Sequence, residues 1–156
     1  MTLHLSIMLW LPLALGIAGL VAPPRVAGRL ALAGSGLALA YAILYLVDFE
    51  SGLSGLQHVT DETWIGELGI SYKLGIDGLN VLLVALTAIL WFASTLWANM
   101  REWDRPRLFY FHLALAETAV LGALLAQDLA LFVVFFDLML VPFFFLTGMW
   151  GGARRV

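Results

Sequence analysis

The sequence predicts an all-α integral membrane fold of about five transmembrane helices joined by one sizeable external loop. Three observations carry this reading. First, the 156 residues are 62% hydrophobic and only 12% charged, against about 25% charged in soluble domains. So many apolar side chains cannot be buried in a water-soluble fold of this size, so the surrounding solvent is lipid. Second, the apolar residues fall into five stretches of spanning length. Third, the arginines segregate to alternate loops. There is no cysteine, which excludes disulfides, Cys-ligated iron–sulfur clusters and thiolate zinc sites from this chain. No metal site and no nucleic-acid partner is expected.

The first span is read as Leu3–Ala22. Only Thr2 and His4 lie before or at its start, so the basic leader of a signal peptide is missing, and no cleavage pattern is well placed; the segment is read as retained. Pro23-Pro24 ends it. The second span is Leu30–Val47. Gly16 and Gly19 in the first and Gly34 and Gly36 in the second permit close helix packing. The third span is Leu79–Ala98. Pro106 precedes the fourth, Leu108–Ala126, and Gly151-Gly152 follows the fifth, Leu129–Trp150. Each is close to 30 Å long at about 1.5 Å per residue. In lipid, backbone groups must be paired within the segment, so each span is a helix. Residues 48–78 form the external loop. There Leu68, Ile70, Tyr72, Leu74 and Ile76 alternate with Gly69, Ser71, Lys73 and Gly75, the period of a strand lying on the outer surface. Trp64 and Tyr72 suit an interfacial aromatic belt.

Arg25, Arg29, Arg101, Arg105, Arg107, Arg154 and Arg155 fall on one side of a five-span topology, seven of the eight basic residues; Lys73 is alone on the other. The positive-inside rule then places the N-terminus outside and the C-terminus in the cytoplasm.

Two carboxylates lie within spans. Asp137 sits in the middle of the fifth, five residues before Pro142, and Glu117 lies in the fourth. A charge near the bilayer centre is costly and faces a partner, a cavity or a transport path. The connection around Gln127-Asp128 is very short, so the two helices are antiparallel neighbours. Glu117 lies ten residues before Gln127 and Asp137 ten after it, so both occupy about the same depth; whether they face each other is open at this stage. Low-dielectric surroundings disfavour the charged form of a carboxyl, and two such groups at one depth suit a proton relay. Pro142 cannot donate to the carbonyl of Leu138 and so frees an acceptor beside Asp137. His112, five residues before Glu117, is a further proton-shuttle candidate, although an interfacial position near Arg107 explains it equally well. The bland readings are a packing kink for Pro142 and interhelical hydrogen bonding for the acids. Nothing resembles a nucleotide fingerprint; Gly34-Ser35-Gly36 lies inside a span.

Two segments carry a family resemblance. Leu68 to Leu79 reads LGISYKLGIDGL; Phe135 to Leu146 reads FFDLMLVPFFFL and closes with Met149-Trp150-Gly151-Gly152. Both resemble subunit M, the chain 4 antiporter-like subunit, of bacterial respiratory complex I, and the spacing of the five spans matches that family throughout. Related L and N subunits and cation/proton antiporter subunits share the architecture but differ around LMLVP. The resemblance implies a membrane-arm subunit of a proton-translocating NADH:quinone oxidoreductase in the bacterial inner membrane. It implies other membrane-arm subunits as partners. NADH, FMN, iron–sulfur clusters and quinone would be held elsewhere in the complex, with no cofactor and no redox site in this chain. It also implies that Asp137 stands where the family carries a glutamate regarded as central to pumping and paired with a lysine farther along. Glu117 matches a carboxylate found in only some relatives. Family members are several times longer, so the chain reads as their N-terminal portion, a single membrane domain unable to pump alone. A related antiporter or membrane-hydrogenase subunit, or a non-catalytic structural fragment, are the alternatives.

Overall fold

The computed structural model describes residues 4–50 and 55–152. Five helices follow one another: α1 (Leu5–Val21), α2 (Pro24–Asp48), α3 (Asn80–Asn99), α4 (Pro106–Leu125) and α5 (Leu129–Trp150). Between α2 and α3 lie two strands, β1 (Gln57–Ile65) and β2 (Ile70–Ile76), joined by a 3-10 turn over Gly66–Leu68. Helices α2 to α5 are long and apolar enough to cross a membrane. The 17 residues of α1 stand at the lower limit of spanning length, about 17 residues. The chain is an all-α integral membrane protein with a small external-type hairpin. Leu3, in the expected start of the first span, and Arg154 and Arg155 lie outside the described residues.

The expected and observed spans agree closely, with one correction. Helix α2 begins at Pro24 and not at Leu30. Pro24 fits the first helical turn, where its missing N–H is not needed and its fixed φ favours the helix. Arg25 and Arg29 therefore sit on the first turns of α2 rather than in a loop. Pro106 starts α4 in the same way, after Arg105, whose φ of 51° places it in the left-handed region.

The helices pack through small residues. An added Cβ on Gly16 of α1 would stand 2.6 Å from the Cβ of Ala114 in α4. Gly19 lies against Ala27, Gly34 against the backbone of Pro12, and Gly36 against the Phe92 ring of α3. The ring of Phe135 in α5 occupies the space where Gly122 of α4 has no side chain. Helix α1 thus packs on α2 and α4, α2 on α3, and α5 chiefly on α4.

The expected single strand is half of an antiparallel hairpin. It starts at Ile70 rather than Leu68 because Gly69, at φ 66°, closes the turn. The hairpin is fastened to the bundle, not laid loosely on it. Leu74 and Ile76 are fully buried in the main core, beside Leu5, Leu9, Tyr45, Leu121 and Leu125. The amide of Gln127 donates to the Lys73 carbonyl at 2.8 Å, and Asn80 Nδ2 donates to the carbonyls of Gly75 and Leu124. Trp10 Nε1 donates to Tyr72 Oη at 3.0 Å, and Tyr72 in turn donates to Ser6 Oγ at 3.1 Å. Trp64 remains about half exposed, at 54%.

Candidate functional site

Helix α4 positions Glu117. Its buried face carries Ala114, Ala116, Glu117, Thr118, Ala119 and Leu121. The small side chains among these let α1 and α2 approach closely, and the glutamate is enclosed with them at 2% exposure. Ser35 of α2 faces the carboxyl but closes no hydrogen bond. Glu117 Oε1, Ser35 Oγ, Thr118 Oγ1 and Tyr45 Oη are all buried without a hydrogen-bond partner. Buried polar atoms are ordinarily paired, so the Glu117 carboxyl facing the Ser35 hydroxyl marks a place able to take up water or a proton.

Helix α5 positions Asp137 differently. Only Leu131, Phe135 and Pro142 of α5 are buried, a single narrow stripe against α4. Asp137 is two residues beyond Phe135, a turn of about 200° around the helix, and it is exposed. The two acids do share a depth. Glu117 lies eight residues before the end of α4 and Asp137 eight after the start of α5, each about 12 Å from the turn. They are nevertheless not brought together: one points into the α2–α4 interior, the other away from the bundle. The expectation that both acids are buried is therefore corrected for Asp137. The physical reason is that, among the described residues, α5 packs chiefly on α4, which leaves its far side uncovered.

Pro142 lies on the buried stripe, and lacking an N–H it leaves the Leu138 carbonyl without its helical donor. His112 is half-buried in an aromatic seam between α4 and α5, its ring 5.0 Å from Phe145 and 6.1 Å from Trp150. Its Nδ1 is 2.7 Å from the Leu108 carbonyl. A carbonyl only accepts, so Nδ1 carries the hydrogen. No described contact joins His112 to Glu117.

The short turn between the helices is strongly built. Asp128 caps α5, with Oδ1 accepting from the amides of Ala130 at 2.8 Å and Leu131 at 3.2 Å. Its Oδ2 accepts from the Ser71 amide of β2 at 3.3 Å. These donors, the Leu131 amide first and the Ser71 amide next, hold the carboxyl below the usual aspartate range. Asp128 thus fixes both the start of the helix that carries Asp137 and the seat of the hairpin.

Residue patterns alone did not pick out Ser35, Thr118 or Tyr45. A signal was present for Ser35: it falls in line with Gly28, Ala31, Ala38 and Ala42, the small residues of the packing face of α2. Among the described residues no cluster of side chains suited to a metal ion is found.

No family model matches the chain. Individual relatives do. It is 33% identical over 159 residues to NADH-quinone oxidoreductase subunit M of Rhodobacter capsulatus, a match covering 97% of this chain and 30% of that protein. It is 33% identical over 131 residues to F(420)H(2) dehydrogenase subunit M of Methanosarcina mazei, covering 84% of this chain and 26% of the relative. Among solved structures, a chain of respiratory complex I from Thermus thermophilus with bound NADH superimposes with a TM-score of 0.80 at 25% identity, over 97% of this chain and 30% of that one. The chain thus spans less than a third of the length of these relatives.

Proposed function

From its homology, over nearly its whole length, to subunit M and chain 4 proteins of NADH-quinone oxidoreductase, we propose that this chain is part of an antiporter-like membrane subunit that translocates protons. In this reading, electron transfer from NADH to quinone takes place in other subunits of the complex, which also hold the cofactors. The partners are the remaining membrane-arm subunits, and the location is the bacterial inner membrane. Asp137 is the working carboxyl, Glu117 a secondary proton site, and Pro142 keeps an acceptor free beside Asp137.

The observation that supports this best is the exposure of Asp137. A carboxylate at mid-depth on the uncovered side of a spanning helix is costly unless a partner covers it, and the relatives are more than three times as long as this chain. The test is Asp137→Asn in the assembled complex. Asparagine keeps the size and hydrogen bonding but releases no proton. Proton pumping, read by dye quenching in membrane vesicles, should fall about 100-fold, the lower end of the range for a positioned proton-transfer group. Asp137→Glu should retain it, and Glu117→Gln should have a smaller effect. Normal pumping by Asp137→Asn at normal assembly would remove this residue from the mechanism.

The arginine-rich helix ends face the cytoplasm in this reading and the hairpin faces outward. A membrane-impermeant thiol reagent applied to intact cells should label Asp61→Cys and not Arg105→Cys; the reverse pattern would invert the orientation. A second reading is favoured by the Methanosarcina mazei relative: the same proton work under a different electron donor. The electron donor oxidised by the assembled complex, NADH or F(420)H(2), decides between the two.

A further inference from the structure

At the end of the bundle opposite the hairpin, the start of α2, the end of α3 and the start of α4 border an open cavity of about 450 Å³. Arg25 and Arg29 of α2 line it together with Arg101 just beyond α3. Its other polar groups are already committed. Asn99 Nδ2 donates to the carbonyls of Gly28 and Thr95, and Tyr110 Oη donates to the Ala98 carbonyl. The free donors are therefore guanidinium groups.

Three guanidinium groups face a single carboxylate there, so the lining carries net positive charge. Glu102 also lines the cavity, but the ion pairs found among the described residues are His58–Asp48 and Lys73–Asp61, both at the hairpin end. Arg101 stacks over the Trp97 ring at 4.0 Å, which leaves its N–H edge available. Arg25 and Arg29 are four residues apart, on one helix face, where like charges repel. They also occupy the first turns of α2, where the helix dipole is already positive. Both effects favour an anion at this end of α2. Arg105 and Arg107 surround a second opening beside Pro24 and Pro106, so the positive field covers this whole end.

We propose that this cavity binds the phosphate of an anionic phospholipid headgroup. Phosphate accepts several guanidinium hydrogen bonds at once. The location favours a lipid source: the cavity lies at the ends of spanning helices, where headgroups sit. Val21, at the end of α1, and Met100, next to Arg101 in the chain, are 86% and 79% exposed and give this end of the bundle apolar surface for an acyl chain. The inference requires that α2 to α4 cross a bilayer and is independent of any role in proton transfer.

The test is a binding titration of the purified full chain in detergent. The probes are short-chain phosphatidylglycerol, short-chain phosphatidylcholine and inorganic phosphate. Phosphatidylglycerol should bind about tenfold or more tighter than either of the others, and inorganic phosphate should compete with it. Each arginine replaced should weaken phosphatidylglycerol about fivefold, and Arg25→Gln/Arg29→Gln/Arg101→Gln together about a hundredfold. Lys73→Gln, at the opposite end, should change nothing. If the triple variant loses helix content, Arg29→Gln alone carries the test. Equal binding of the two lipids, or no loss in the arginine variants, would overturn the proposal. Inorganic phosphate binding as tightly as phosphatidylglycerol would assign the site to a soluble anion and overturn the lipid.

Discussion

The inner face of α4 and the outer face of α5 each carry one carboxyl at the same depth, and they differ in almost everything else. Glu117 is buried on the face of α4 that packs against α1 and α2, facing the unpartnered Ser35 hydroxyl. Asp137 stands on a helix whose buried stripe is only three residues. The inner carboxyl is covered by neighbouring helices of this chain; the outer one is not. Depth alone therefore does not make a carboxylate pair, and the helix rotation set by Phe135 against Gly122 is what separates the two.

The largest effect expected from this contrast is functional, the loss of pumping in Asp137→Asn set out above. The next is on stability. Glu117→Leu removes a buried, unpaired oxygen and keeps the volume, so it should leave the bundle as stable or stabilise it by about 1 kcal/mol. Asp137→Leu changes an exposed position and should stay within about 0.5 kcal/mol of the parent. Thermal denaturation of both variants in detergent makes the comparison. A large destabilisation by Glu117→Leu would mean that its carboxyl holds the helices together.

A smaller effect concerns Asp128, which seats α5 and the hairpin together. Its folded carboxyl lies below the usual aspartate range, so the unfolded state binds its proton more readily. The cap therefore stabilises the fold above the ordinary aspartate value, and its contribution is lost as the pH falls through the depressed folded value. Acidification through that window should loosen the hairpin, seen as faster amide exchange at Ser71 and Leu131. Asp128→Asn should remove the pH dependence. Unchanged exchange across the window would show that the backbone bond from Gln127 to Lys73 suffices.

Much of this fold is legible in the sequence because lipid leaves few alternatives. Long apolar runs must be helices, and Pro24, Pro106 and Gly151 mark their limits. The start of α2 was misplaced because Arg25 and Arg29 read as loop residues, whereas prolines at a first turn extend a helix through them. Strand β1 was not legible: Gln57 to Ile65 shows no clean alternation, and its pairing depends on the anchoring of β2 by Gln127 and Asn80. The depth of the two acids followed from the short turn around Asp128. Their directions did not, because facing depends on which side of α5 meets α4, and that is settled by the fit of the Phe135 ring over Gly122. Ser35 and Thr118 were passed over because an isolated hydroxyl in a span resembles ordinary helix packing until its neighbour is known.

The most direct test of the contrast is chemical access to the two carboxyls. An apolar carbodiimide that modifies protonated carboxyl groups within the hydrocarbon region can be applied to the purified chain, and the rates at the two residues followed by mass spectrometry of the digested protein. Asp137 should react quickly and Glu117 slowly, by about tenfold or more given the near-complete burial of Glu117. In a full-length, assembled complex, Asp137 should become protected and approach the slow rate. Equal rates at the two positions in the isolated chain, or fast modification of Glu117, would contradict the assignment of one enclosed and one outward-facing acid.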